Sequence, residues 1–161
     1  MKIGVISDTH LGGYSPQLKD LTDVYFKDVD MIFHVGDMVD IKVLDAFLPR
    51  KVEAVSGNMD SWNVTQQFPT KKVLTIEGFR IGLIHGWGTP IGIEDRIRQE
   101  FHDVQCIVFG HTHCPVNRYI HGILFFNPGS PTDKRFVKQN TIGILEIGKK
   151  IVGTIVPIKG I

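Results

Sequence analysis

Short apolar, β-branched runs recur through the first third of the chain, at Lys2 to Ser7, Met31 to Val35 and Val52 to Ser56. Each is too short for a helix and predicts a buried strand. Between the first two, Ser15-Pro16 pairs a capping residue with proline at the first helical position, and Leu18, Leu21 and Tyr25 follow at helical spacing. After the second, Asp40 predicts the cap of a helix whose Ile41, Leu44, Phe47 and Leu48 share one face and which stops near Pro49. Strand-helix-strand-helix-strand with short links predicts parallel strands joined by right-handed crossovers.

The pattern then changes to hairpins. Lys72–Ile76 and Phe79–Ile84 flank Glu77-Gly78, and Val116–Ile120 and Ile123–Phe126 flank His121-Gly122. Thr141–Ile147 and Ile151–Pro157 flank a turn at Gly148 to Lys150. Glycine in such links supplies the positive φ of hairpin turns. One more helix is expected after the cap Thr89-Pro90, with Ile93, Ile97 and Phe101 one turn apart, followed by a strand Val104–Phe109. The expectation is an α/β fold with a parallel half and an antiparallel half, two sheets packed face to face and helices outside.

The 161 residues show no repeat, low-complexity stretch or linker, and read as a single domain, residues 1–161. Eighteen basic against 17 acidic residues give a net charge of +1, without the footprint of a general nucleic-acid binder. No apolar run is long enough for a membrane span. The first residues enter a strand at once rather than a signal peptide, and two cysteines, Cys106 and Cys114, make no disulfide framework. These features lead us to expect a cytoplasmic protein, and they leave homo-oligomerisation open.

Chemistry follows the apolar runs. The first ends in Asp8-Thr9-His10, the second in Gly36-Asp37 and the third in Gly57-Asn58. Arg80–Ile84 ends in His85-Gly86, and Cys106–Phe109 ends in Gly110-His111-Thr112-His113. Ligands of open α/β sheets bind at the carboxyl ends of strands, so these five ends are expected to converge. Asp8 and His10 are two apart, as are His111 and His113, so extended backbone would project each pair to one side. Asp8, His10, Asp37, Asn58, His85, His111 and His113 make seven candidate ligands. With one bridging carboxylate, each of two metals receives four of them, and a bridging hydroxide completes five. Nitrogen and oxygen donors without thiolate suit Mn, Ni, Fe, Co or Zn, with manganese placed first, and exclude a structural Cys-type zinc site. Two divalent ions against two carboxylates and a hydroxide leave a positive site that attracts phosphate.

This set of motifs resembles the calcineurin-like metallophosphoesterase superfamily. The chain length and Asn127-Pro128-Gly129-Ser130 resemble its small single-domain phosphodiesterase subgroup, which also contains the small retromer subunit. The resemblance implies a four-layer α/β/β/α sandwich of two mixed sheets and a two-metal site. It places Asp8, His10, Asp37 and His113 at one metal and Asp37, Asn58, His85 and His111 at the other. Many members carry His after the Gly-Asn pair, where it hydrogen-bonds the phosphate and can protonate the leaving group. Here that position is Met59, whose thioether donates no proton, so His10, His34 or a metal-bound water is left to substitute.

The function expected is a metal-dependent phosphodiesterase acting on a small phosphate ester by in-line attack of metal-activated hydroxide. Asp37, Asn58 and His10 are the residues assigned to catalysis. The alternatives are a phosphomonoesterase and a phosphoesterase-fold interaction scaffold with little turnover, while strand-end ligands fit an oxygen-activating di-metal protein poorly. Around the seven, His34 reads as a buried structural residue and Asp60 as a loop carboxylate steadying a neighbouring ligand. Tyr14, Trp62 and Trp87 read as pocket walls or core. Lys134, Arg135 and Lys138 read as an exposed basic face, Cys114 as a non-ligand, and His102 and His121 as surface positions.

Overall fold

β1 (Lys2–Ile6), β2 (Met31–Val35) and β3 (Lys51–Val55) form on the three apolar runs and pair in parallel. The computed structural model describes residues 1–133 and 137–159. Helix α1 (Pro16–Tyr25) links the first two strands and buries Leu18 and Leu21. Its cap is Ser15, whose hydroxyl accepts a bond from the Leu18 N–H at 3.2 Å.

Asp40 also caps as expected, accepting from the Lys42 N–H at 2.8 Å, but the helix it opens is a 3₁₀ helix, Ile41–Phe47. Val43 and Ala46, three apart, line up on its buried side, and Phe47 is buried beside them. Leu48, expected on the inner face, is exposed.

The second sheet holds β4 (Lys71–Ile76), β5 (Phe79–Ile84), β6 (Cys106–Val108), β7 (Val116–Ile120) and β8 (Ile123–Asn127). Its strand order is β4-β5-β6-β8-β7. Glu77-Gly78 and His121-Gly122 both have positive φ, as two-residue hairpin turns require. The third hairpin, β9 (Asn140–Ile147) and β10 (Ile151–Ile158), leaves this sheet and joins the first. There β9 lies antiparallel to β1, giving the order β10-β9-β1-β2-β3. The expected parallel and antiparallel halves are thus corrected: β6 pairs in parallel with β5 and β8, and both sheets are mixed.

Two short helices complete the fold. Helix α2 (Trp62–Gln67) was not expected from the sequence. Helix α3 (Ile93–Arg98) starts later than Thr89-Pro90 suggested, because its cap is Gly92 at φ 72°. Phe101 lies beyond its last turn and is still buried.

Alternate residues of each central strand face opposite layers. Val5, Phe33, Val108 and Phe126 fill the space between the sheets, where truncating either phenylalanine should cost about 3–5 kcal/mol. Ile6 and Ile32 pack outward against α1 and the 3₁₀ helix, and Ile107 and Phe125 pack outward against α3. These three clusters define the four layers α/β/β/α. Among the described residues, no helix is long and apolar enough to cross a membrane. Since β1, β2 and β3 run parallel, and β5 runs parallel to β6, their carboxyl ends assemble at one rim of the sandwich.

Candidate metal centre

The loops at that rim are laced together by backbone bonds. Asp8 N–H donates to Gly36 O, His10 N–H to Asp37 O and Gly110 N–H to His85 O, each at 3.0 Å. Asp8, His10, Asp37, His111 and His113 all have left-handed φ, between 46° and 68°. This conformation is uncommon for residues with a Cβ and concentrates at functional sites. It corrects the expectation that extended backbone aligns the two-apart pairs; each ligand loop turns sharply instead. Two glycines make room. A Cβ on Gly110 would lie 2.0 Å from Ser7 Oγ and 2.7 Å from Asp8 Oδ2, and one on Gly57 would lie 2.3 Å from Asp37 Oδ1.

Most of the converging side chains commit one polar atom to the protein and turn another inward. Asp8 Oδ2 accepts from Ser7 Oγ at 2.6 Å and from the His111 N–H at 3.0 Å. Asp8 Oδ1, fully buried, accepts no hydrogen bond among the described residues. It faces His113 Nε2 at 3.2 Å, and His10 Nε2 and His85 Nε2 at 3.9 Å. Asp37 Oδ1 accepts from the Met59 N–H at 2.7 Å, which leaves Oδ2 facing His85 Nε2 at 3.3 Å and His10 Nε2 at 3.9 Å. His85 Nδ1 bonds Val35 O at 2.8 Å, which directs Nε2 inward. His113 Nδ1 lies 3.1 Å from Asp133 Oδ2, and its Nε2 is 3.2 Å from His10 Nε2. His111 Nε2 bonds Gly88 O at 2.8 Å, and its Nδ1 faces Asn58 Oδ1 at 3.1 Å.

Three imidazole nitrogens, of His10, His85 and His113, and two carboxylate oxygens, of Asp8 and Asp37, converge on one space. Asp8, His10 and His113 form one group able to hold an ion, and Asp8, Asp37 and His85 another. Asp8 therefore faces both groups. Outer partners such as Asp133 and Val35 O fix the ring orientations, as metal-bound histidines generally require. The donor set fits hard or borderline divalent cations.

Electrostatics agree with that fit. Burial works against a charge on His85, but Asp37 at 3.3 Å and the fields of Asp8 and Asp37 raise its pKa to about 9. Burial also opposes the Asp37 charge, and His85, the Met59 N–H and His10 outweigh it, holding the carboxyl below its usual range. Without a cation, His85 and Asp37 form a charged pair in the place a metal would take.

All seven candidate ligands thus lie at one rim. His34 does not join them: it is fully buried, its Nε2 meets Thr9 Oγ1 at 3.1 Å, and burial lowers its pKa to about 4. Fully buried, it has no exposed face for a leaving group. Asp60 steadies two ligand loops at once, accepting from the N–H groups of Asp37 at 3.0 Å, Gly57 at 2.7 Å and Val39 at 2.6 Å. Tyr14 and Trp62 are 51% and 73% exposed, so neither belongs to the core, while Trp87 lines a cleft beside Asn58 and His85. His102, His121 and Lys138 are exposed. Cys114 stays outside both ligand groups. Lys134 and Arg135 lie outside the described residues.

Sequence reasoning missed Ser7 and Asp133, which contact the candidate ligands Asp8 and His113 from behind. It noted Asn127 to Ser130 without a role. The structure supplies one: Asn127 Nδ2 donates to Gly110 O at 2.8 Å, and Ser130 Oγ donates to Asp8 O at 2.8 Å. That segment braces the backbone of two ligand loops.

Residues 1–150 match the family model of the calcineurin-like phosphoesterase superfamily domain. A Methanocaldococcus jannaschii protein named "Probable metallophosphoesterase" is 38% identical, over 99% of this chain and 82% of its own. A protein of the same organism named a phosphodiesterase is 28% identical, over 93% of this chain and 95% of its own. Among solved structures, an archaeal phosphodiesterase superposes with a TM-score of 0.79 at 23% identity, covering 98% of this chain and 100% of that one, a likeness of fold alone. Vps29 of Entamoeba histolytica complexed with Zn²⁺ superposes with a TM-score of 0.72 at 26% identity, covering 98% and 99%. Motifs, sandwich and the match along nearly the whole chain agree, and the protein belongs to the calcineurin-like phosphoesterase superfamily.

Proposed function

We propose that this protein is a two-metal phosphodiesterase of small phosphate esters. The observation that carries the reading is the inward convergence of histidine nitrogens and carboxylate oxygens, above all Asp8 Oδ1, buried and accepting no hydrogen bond among the described residues. Asp8, His10, Asp37 and His113 would hold one cation, and Asp37, Asn58, His85 and His111 the other, with manganese the first choice. Asp37 is given the bridging role that the family resemblance implies; its Oδ2 faces both His85 and His10, as Asp8 Oδ1 also does. Bound divalent cations would supply an acidified water and positive charge for the phosphoryl oxygens.

The chain's own residues do the rest. Asp8 and Asp37, one carboxylate oxygen each held by the protein, present the other without reorganisation. Asn58, exposed at the rim, offers its amide beside His111. His10 Nε2 faces the cluster, so its ring serves as a ligand before it serves as a proton donor. Met59 is 57% exposed at the site's edge and donates nothing. The leaving oxygen therefore departs with little acid help, which favours esters of acidic alcohols.

A second reading, a phosphoesterase-fold scaffold, draws on the exposed apolar residues Met59 and Trp62, which follow Asn58 in the chain, and on the likeness to Vps29. One panel separates the readings: aryl and alkyl diesters and monoesters assayed with the manganese-loaded protein, with chelator, and with Asp37→Ala. Diester turnover lost with either perturbation is expected. No turnover of any ester with any divalent metal would leave the scaffold.

A further inference from the structure

Beside the edge strands β3 and β4 lies a cleft of about 540 Å³. Asn58 and His85 line one part of it, and Ile84, Trp87, Lys71 and Glu100 are among the residues that line the rest, with Ser56 and Thr70. A phosphoryl group at the ligand cluster fills little of this space, whose size suits a small organic molecule.

The lining says which kind. Apart from the candidate ligands, its charged residues are Lys71 and Glu100, and they neutralise each other at 2.6 Å. A second anionic group would need an uncommitted cation, so an uncharged group fits better. Trp87 and Ile84 supply apolar surface, and Trp87 remains 43% exposed. The loop carrying Trp87 is held on both sides. Arg96 donates to Trp87 O at 3.3 and 3.1 Å, to Ile91 O at 2.9 Å and to Thr89 O. Gly88 O accepts from the candidate ligand His111 at 2.8 Å. A loop backbone held this way keeps Trp87 at the cleft before a ligand arrives, which lowers the ordering cost of binding.

We propose that this cleft is a subsite for an uncharged aromatic or heteroaromatic substituent of the phosphate ester, packed against Trp87 with its polar edge toward the Lys71–Glu100 pair. The proposal rests on the phosphoester reading above. It makes Trp87 a specificity residue, a role that Trp62, outside the cleft lining, does not share.

Isothermal titration of the manganese-loaded protein with the diesters methyl phenyl phosphate and dimethyl phosphate separates ring from phosphate. Methyl phenyl phosphate should bind roughly tenfold tighter, as an aromatic contact of this kind allows. Trp87→Ala should bring the affinity ratio close to one at equal metal content, whereas Trp87→Phe and Trp62→Ala should keep it. Equal binding of both esters by the unaltered protein, or a ratio that survives Trp87→Ala, overturns the subsite and leaves the phosphoester reading standing. If neither ester binds, the phosphoester reading itself fails and the subsite falls with it.

Discussion

Replacing Asp60 by alanine should loosen two ligand loops together. Its Oδ2 accepts from Asp37 N–H at 3.0 Å and Gly57 N–H at 2.7 Å, and its Oδ1 from Val39 N–H at 2.6 Å. The loops so joined carry Asp37 and Asn58, yet Asp60 itself belongs to neither ligand group. Hydrogen bonds to a charged group are worth about 1.5–3 kcal/mol each, so three set an upper bound of about 4.5–9 kcal/mol. Asp60 is half-buried, and water can reach part of the freed N–H groups, which brings the expected loss to about 3 kcal/mol. Metal affinity should fall roughly 10–100-fold, the usual cost of removing an outer support. Asp60→Asn keeps one acceptor oxygen and turns an amide N–H₂ toward the remaining donor, so it should fall between alanine and the native residue. Urea unfolding of the metal-free variants gives the first quantity, and calorimetric titration with manganese gives the second. An alanine variant within about 0.5 kcal/mol of native stability, with unchanged manganese affinity, would refute the bracing role.

Other consequences can be checked alongside. Met59→His should restore acid help to the leaving group: across an aryl phosphodiester series, the fall of log rate with leaving-group pKa should flatten, and poor leaving groups should gain up to about 10²-fold or more. His34 has a folded pKa of about 4 against an ordinary 6.5, so the unfolded chain takes up a proton first as pH falls. Stability should therefore drop between pH 6.5 and 4, by up to about 3 kcal/mol from this group, and His34→Gln should flatten that slope in urea titrations. His85 has the opposite sign: its raised pKa of about 9 stabilises the metal-free fold fully below 6.5, and that contribution is lost as pH rises through 9. A cation must displace that proton, so manganese binding at pH 7 should release one and tighten as pH rises; calorimetry in buffers of different ionisation enthalpy counts it.

The candidate site was legible because its residues sit at the ends of buried runs. Gly-Asp, Gly-Asn, His-Gly and Gly-His-Thr-His each break an apolar strand with a polar group next to a glycine, a pattern that few structural needs produce. The two hairpins at Glu77-Gly78 and His121-Gly122 were legible for a similar local reason. What escaped depends on distant partners. Nothing in Asn140–Ile158 says that it pairs with β1 rather than with the strands before it, because every inward residue of that hairpin suits either sheet. The 3₁₀ helix at Ile41–Phe47 and the later start of α3 turn on local geometry that apolar spacing does not resolve. Ser7 and Asp133 look like ordinary loop and strand-end polar residues until Asp8 and His113 are seen against them. The left-handed backbone at five candidate ligands was hidden as well, because Asp and His adopt it more often than most side chains but far less readily than glycine.

The most direct test of a two-metal phosphodiesterase is one titration read in two ways. Manganese is added to metal-free protein at a concentration well above its dissociation constant, with bound metal and bis(p-nitrophenyl) phosphate hydrolysis followed together. Binding should saturate at two ions per chain, with the rate rising mainly over the second equivalent and disappearing on chelation. Saturation at one ion with full activity, or two ions bound with no hydrolysis, would contradict the account.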